Sequence, residues 1–258
     1  MDIAVAGGTG IVGRHVVRIA KERGHQVKSL SRREGVDLVK GKGVGAALKG
    51  VDTLIDVSGL RSMHTKKSVD FFMASTENLQ QYGKAAGVKH HVVLSIVGVD
   101  KAPAGLYAGK QAQEEAVRHG DLPWTILRST QFHEFVEQVL GRTSFGPVVI
   151  VPKFRTQPIA AAEVAEALVD AAEAGPQGLL PDLGGPRAER LKDLVDQYLR
   201  KNGRKRLVLE STAPGVLWKA MRSGGLLPAA GAAVGRQTFE EWLAAQPSQG
   251  QKNFLIDS

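Results

Sequence analysis

The stretch DIAVAGGTGIVGRHVV, residues 2–17, decides the fold. Its first part, DIAVAGG at 2–8, is a short apolar run ending in glycines, and the part after it carries Val12, Val16, Val17 and Ile19 at helical spacing until Gly24. Strand, turn and helix follow one another directly. Gly7, Gly10 and Gly13 occupy the turn at G-x-x-G-x-x-G spacing. Gly7 permits the tight turn, Gly10 lets the backbone approach a diphosphate, Gly13 lets helix and strand pack closely, and the free N–H groups of the helix start face the anion. A lone glycine pattern is weak; set between a strand and a helix, it indicates dinucleotide binding.

Outward from this turn the pattern alternates. HQVKSLSRR at 25–33 reads as a second strand and VDTLIDVSG at 51–59 as a third. A helix over 69–86 is closed by Gly87, VKHHVVLSIVG at 88–98 reads as a buried strand, GKQAQEEAVRHG at 109–120 as a helix and PWTILRST at 123–130 as a fifth strand. Strands alternating with helices imply a parallel sheet covered on both faces, a Rossmann-type doubly wound α/β fold. After Phe132 the pattern loosens. PVVIVP at 147–152 suggests a strand, 159–175 and 189–203 are helical, and GLLPDLGG and RLVLE read as short strands. The reading divides the chain into a dinucleotide-binding portion over 1–145, a smaller substrate-side portion over 146–247 that is interleaved rather than independent, and a tail over 248–258 with an apolar FLI able to dock.

Composition narrows the classes. The chain has 258 residues with 43% apolar content, enough for a sizeable core, and no cysteine, so disulfides, thiolate metal sites and a cysteine nucleophile are excluded. It lacks a signal-peptide pattern and any run of eighteen apolar residues, which points to a cytoplasmic protein away from membranes. The net charge of +8 is spread, and its densest cluster, Arg200, Lys201, Arg204, Lys205 and Arg206, flanks Asn202-Gly203 as a solvated loop, so nucleic acid is not the favoured partner.

The end of the second strand separates the two nicotinamide cofactors. An acid there suits the ribose hydroxyls of NADH, whereas a 2′-phosphate calls for arginine. Ser31-Arg32-Arg33 favours NADPH, Arg14 can add charge at the helix start, and the later Glu34 keeps NADH open.

With AVAGGTGIVGRHVV, VDTLIDVSG, GVKHHVVLSIVGVD, KQAQEEAVRHGDLPWTILRSTQFHEF, QPIAAAEVAEAL and FEEWLA in view, the chain resembles the atypical short-chain dehydrogenase/reductase superfamily, and within it the NmrA-like NAD(P)H-binding group found in actinobacteria. The resemblance reaches nearly to Ala245. It implies that Gly7, Thr9, Gly10, Ile11 and Gly13 line the diphosphate, Arg32 and Arg33 meet the adenosine end, Val57 and Ser58 the ribose side, and Ser95 and Lys110 the nicotinamide ribose. It also implies a smaller carboxy-terminal substrate portion and, for many members, NADPH-dependent reduction of quinones or related carbonyls. Fold-level analogy does not fix the chemistry.

In catalytic members of the superfamily a tyrosine four residues before the lysine donates the proton, the lysine holds the ribose, and a serine at the end of the fourth strand orients the substrate. Ser95 fits the last place. Counting back four from Lys110 gives Leu106, which cannot transfer a proton. Tyr107 is one position later, rotated by roughly 100° if helix already begins there, too far for a transfer that needs heavy atoms about 3 Å apart. It remains a candidate acid only if 105–107 is loop, which Pro103 and Gly105 allow, and is otherwise a packing or pocket-wall residue.

Met63, His64, Phe71 and Phe72 after the third strand, and Phe132, His133 and Phe135 after the fifth, belong over the carboxyl edge of the sheet, where doubly wound folds bind ligands. Aromatic side chains suit a flat substrate, although ordinary packing explains them equally; either histidine is a candidate substitute acid, with a structural or surface role the commoner one for such a residue. His133 and Glu137 share a helix face without a third partner, so no metal site is assigned.

Three functions fit: NADPH-dependent hydride transfer to a conjugated carbonyl such as a quinone or polycyclic aromatic ketone, a non-catalytic NADPH-binding redox sensor, and tailoring of an aromatic polyketide by reduction or oxygenation. A conjugated acceptor spreads its new negative charge and needs less proton donation, which suits a chain with leucine at position 106. Oligomeric state is not legible.

Overall fold

The computed structural model describes residues 1–60 and 62–247; the tail expectation for 248–258 lies outside the described residues. The first half alternates strand and helix: β1 (Asp2–Ala6), α1 (Gly13–Glu22), β2 (Gln26–Leu30), α2 (Val44–Leu48), β3 (Thr53–Asp56), α3 (Thr65–Ala86), β4 (His90–Ile96), α4 (Leu106–His119) and β5 (Trp124–Ser129). There follow α5 (Phe135–Thr143), β6 (Ser144–Phe145), β7 (Val148–Pro152), β8 (Arg155–Thr156), α6 (Ala161–Ala174), β9 (Gly178–Leu179), β10 (Leu183–Gly184), β11 (Glu189–Arg190), α7 (Leu191–Lys201), β12 (Leu207–Ser211), α8 (Val216–Ser223), β13 (Ala233–Val234) and α9 (Phe239–Ala245).

The main sheet runs β13-β10-β5-β4-β3-β1-β2, with β9 beside β5, and its pairings are parallel. From β1 the chain steps to β2 on one side and then to β3 on the other, so strand order reverses there and opens a crevice at the carboxyl ends of β1 and β3. Backbone bonds from Gly7 N to Leu30 O at 3.1 Å and from Val57 N to Ala6 O at 3.0 Å extend the pairing into that crevice.

Alternation along β1 sorts its side chains to two layers. Ile3 and Val5 join α1 and α6 through Val16, Val164 and Leu168, whereas Ala4 and Ala6 face Leu48 and Leu79 of α2 and α3. Each fully buried valine or leucine contributes roughly 1.5–3 kcal/mol, so these layers fix the turn between β1 and α1 firmly. A separate core joins α5, β7, α7, α8 and α9 with Tyr107 of α4.

Elements after residue 146 pack with the first half: α6 covers the same face as α1, and β9, β10 and β13 pair within the main sheet. Among the described residues two small sheets, β11-β8 and β12-β7-β6, make up the rest of the strands. Among the described residues no helix is long and apolar enough to cross a membrane.

Candidate cofactor and substrate site

The turn after β1 is shaped by what its glycines lack. Gly7 has φ of 80°, and a Cβ there would stand 2.8 Å from the Val57 carbonyl oxygen and 2.9 Å from Cα of Ser58. A Cβ on Gly13 would run into the carbonyl oxygen of Gly7 and the backbone of Gly8. At Gly10 the tightest neighbour, the Gly7 carbonyl oxygen, is 3.2 Å away, so the protein itself does not force glycine there. Its absent side chain leaves an approach for a ligand. Gly8, which sequence reasoning passed over, lets Ser29 of β2 come close. No side chain caps the start of α1, and Thr9 and Gly10 are exposed beside it, with Ile11 half-buried. An uncapped helix start behind a turn that excludes Cβ atoms fits the diphosphate of a dinucleotide.

At the far end of β2 a single turn of 3-10 helix, Arg32–Glu34, carries Arg32 and Arg33 into solvent. Neither engages in an ion pair among the described residues. The Ser31 hydroxyl donates to Oε2 of Glu34 at 2.9 Å, so the serine is already engaged and the acid is held beside it.

Beneath the crevice lies a buried polar network. Lys110 is 6% exposed; its Nζ donates to Leu94 O at 2.7 Å, to Gln113 Oε1 at 2.8 Å and to Ser58 O at 3.5 Å, and it stands 4.5 Å over the Phe72 ring. Gln113 donates onward to Asp56 Oδ2 at 2.8 Å, and Asp56 Oδ1 accepts from Ser58 N at 2.8 Å. Burial lowers the Lys110 ammonium to about 8 against the pull of Asp56 and Glu114. Thus Lys110 ties α4 to the ends of β3 and β4. Asp56 and Gln113 were missed by sequence reasoning, although Gln113 sits one helical turn from Lys110 and could have been found by that spacing. Ser58 and Ser95 are buried beside this network, and neither hydroxyl has a partner among the described residues. Val57 is half-buried against the core shared by α1 and α6.

Helix α4 begins at Leu106, so position 107 is helical and the loop alternative for Tyr107 is removed. Gly105, with φ of 57°, makes the entry. Leu106 and Lys110 stand four apart on this helix. Tyr107 is 5% exposed in the carboxy-terminal core. Its hydroxyl accepts from Gln131 Nε2 at 2.9 Å, and Gln131 Oε1 accepts from Thr156 Oγ1 at 2.8 Å. Burial raises the phenol well above its ordinary range, and Gln131 opposes that only in part.

The aromatic positions scatter. Phe72 is 0% exposed beneath Lys110, which makes it core and corrects its placement on a pocket wall. His133 is corrected likewise: it is 0% exposed, its ring contacts Phe239 and Trp242 at centroid distances of 5.6 and 5.5 Å, and Nε2 meets Gln237 O at 3.2 Å. Burial depresses this imidazole to about 4, so near neutral pH it is uncharged. Met63 is 55% exposed, and His64, also exposed, caps α3 by accepting from Lys67 N at 3.5 Å. Phe132 is half-buried and joined by a bridge to Ile159. Phe135 packs edge-on against Phe154, with centroids 6.4 Å apart. Glu137 accepts from Tyr198 at 2.9 Å rather than sharing a ligand with His133. Among the described residues no group of three or more His, Cys, Asp or Glu is placed to hold a metal ion.

Glu134 carries no signal in the sequence, yet it lies at the start of α5, beyond the end of β5, with Oε2 buried and unpartnered. Burial raises its carboxyl, while a hydrogen bond from its own backbone N–H and, after it, Arg14 oppose the rise. A cavity of about 500 Å³ lies elsewhere, lined by Pro147, Asp196, Leu199, Arg200 and the basic run 204–206.

Comparison with known proteins agrees with this geometry. Residues 7–174 match the model of a family described as NAD(P)H-binding. A (4-alkanoyl-5-oxo-2,5-dihydrofuran-3-yl)methyl phosphate reductase of Streptomyces griseus is 28% identical over 222 residues, 78% of this chain and 74% of that protein. The photosystem II assembly factor Ycf39 of Synechocystis is 30% identical over 159 residues, 55% of this chain and 47% of that protein. An NADPH-dependent quinone oxidoreductase of Escherichia coli, solved with NADPH, superposes with a TM-score of 0.71 at 19% identity, covering 94% of this chain and 98% of that one. That last likeness is one of fold.

Proposed function

The chain belongs to the NAD(P)H-binding family, and we propose that it is an NADPH-dependent oxidoreductase delivering hydride to a conjugated carbonyl, a quinone or polycyclic aromatic ketone. The observation that carries this reading is the pair of positions on α4: Leu106 stands four residues before Lys110, and the neighbouring Tyr107 is bonded to Gln131 inside the core. Leucine thus stands at the position where the resemblance to catalytic short-chain dehydrogenases would put a phenol. An isolated ketone would leave full charge on one oxygen, whereas a quinone or extended enone distributes it, so the acceptor class with the smallest need for that phenol is favoured.

Bound NADPH supplies a hydride from C4 of its nicotinamide. The protein's part is to hold and orient it. Gly7, Gly10 and Gly13, with the start of α1, would take the diphosphate; Arg32 and Arg33 would take the 2′-phosphate; the unpartnered hydroxyls of Ser58 and Ser95 would serve the nicotinamide side. Lys110 would set the floor by fixing Ser58 and Leu94, with its own N–H groups already committed. Met63, Phe132 and Phe135 remain the candidates for a flat substrate. The test is NADPH oxidation by the purified protein across a panel of benzo-, naphtho- and anthraquinones: consumption with at least one supports the reading, and none with any contradicts it.

One observation favours a second reading, a redox sensor that binds NADPH without turnover. Lys110 is engaged by protein acceptors, which is compatible with a site built for occupancy alone. Under that reading NADPH binds tightly, the quinone panel is inert, and a partner protein distinguishes the loaded from the empty form.

A further inference from the structure

The segment between β5 and α5 crosses the carboxyl edge of the sheet, and most of its polar side chains have clear tasks. Thr130 donates to the Gln157 carbonyl, and Gln131 links Tyr107 to Thr156. Glu134 does not fit that pattern. It makes no side-chain cap for α5 and forms no ion pair within 4.0 Å among the described residues; its carboxyl takes a hydrogen bond from its own backbone N–H, and Oε2 is buried without a partner among the described residues. The charged groups acting on it are Arg14, from the first turn of α1 beside the glycine turn, and Glu137 of its own helix. Glu134 is therefore within electrostatic reach of the dinucleotide turn.

A buried carboxylate oxygen is stabilised by donors; Glu134 is half-buried with its own backbone N–H as one donor, and its buried Oε2 has none among the described residues. A buried carboxylic acid needs only one acceptor for its proton, which a bound substrate oxygen can provide. We propose that the Glu134 carboxyl is the proton donor of the reduction, in place of the phenol absent at position 106; the inference rests on the reductase reading given above. In the step, bound NADPH would supply hydrogen with the electron pair of its C4–H bond, and that pair would form the new bond to the conjugated acceptor. The oxygen that gains charge takes the proton as the carboxyl O–H bond breaks. The products are oxidised nicotinamide, the reduced acceptor and a Glu134 carboxylate, which solvent reprotonates. Burial, the largest influence on this carboxyl, raises it and keeps more of the acid form near neutral pH.

Two measurements test this. Carbon-13 NMR of glutamate-labelled apoprotein, with Glu134→Gln to assign the resonance, is expected to show a carboxyl titrating above the ordinary glutamate range; titration within that range overturns the proposal. In stopped-flow reduction of a quinone, Glu134→Gln is expected to slow turnover about 10-fold or more and to remove the fall in rate at rising pH. NADPH affinity should stay within roughly two-fold. Glu134→Asp, which keeps an acid, should recover part of the rate and guards against misreading a folding defect. If the wild-type protein reduces a quinone and Glu134→Gln matches it in rate and pH profile, the Glu134 assignment alone is overturned. If the wild-type protein oxidises no NADPH with any acceptor, the reductase reading fails and takes this assignment with it.

Discussion

The ammonium of Lys110 donates to the carbonyl oxygen of Leu94 across 2.7 Å, joining α4 to the end of β4 inside the core. This bond, with those to Gln113 and Ser58, makes Lys110 a buried cation whose solvation is replaced by fixed acceptors.

A pH signature follows. In the folded chain the Lys110 ammonium is depressed to about 8 from its ordinary 10.5. Between those values the unfolded chain holds the extra proton, so stability rises with pH through the window and the advantage is lost as pH falls through 8. The wild type should gain up to ~3 kcal/mol relative to Lys110→Met across that range. Denaturant unfolding of both proteins at several pH values checks it; a flat difference contradicts the buried-cation account.

Tyr107→Phe separates structure from chemistry. The substitution removes the acceptor of Gln131 Nε2 and should cost about 1 kcal/mol in unfolding free energy. Quinone turnover should not change. Leu106→Tyr is the converse experiment, and gain of activity toward simple ketones is its expected result.

The glycine turn supplies a paired comparison. Gly13→Ala drives a Cβ into the Gly7 carbonyl, so the protein should lose about 1–3 kcal/mol and its NADPH binding together. Gly10→Ala meets only the Gly7 oxygen at 3.2 Å; it should keep stability within roughly 0.5 kcal/mol while binding weakens. Thermal unfolding and fluorescence titration of both variants read the two effects separately.

Cofactor choice is assigned to the exposed Arg32 and Arg33. Charge-assisted bonds to a phosphate contribute about 1.5–3 kcal/mol, so replacing both arginines by alanine should shrink the preference for NADPH over NADH by about 10-fold or more. Glu34→Gln should have the opposite effect, because the acid held by Ser31 stands near the same end. Equal affinities in the wild type would contradict the assignment.

The parts of the fold that could be read from the sequence were those set by local chemistry. The order β1, glycine turn, α1 follows from Gly7 and Gly13, whose constraint is backbone geometry within a few residues. The start of α4 was placed three residues late because Gly105 reads as loop, whereas its positive φ launches the helix. Helix α5 was not separated as its own element, and its short amphipathic run takes meaning from the core it shares with α7. The site was less legible, since burial there is imposed from afar. His133 is covered by Phe239 and Trp242, more than a hundred residues onward. Phe72 became core because Lys110 and Gly109 of another helix close over it. Glu134 stands out only through a missing partner, which no spacing reveals.

Whether this chain uses NADPH to reduce a conjugated carbonyl is read most directly by mixing NADPH-saturated protein with a quinone in a stopped-flow instrument and following the nicotinamide absorbance. The expected result is a single-turnover loss of reduced nicotinamide that depends on quinone concentration and is faster than the protein-free reaction. Tight NADPH binding with no loss of that absorbance above the protein-free rate, for any quinone in the panel, would contradict it.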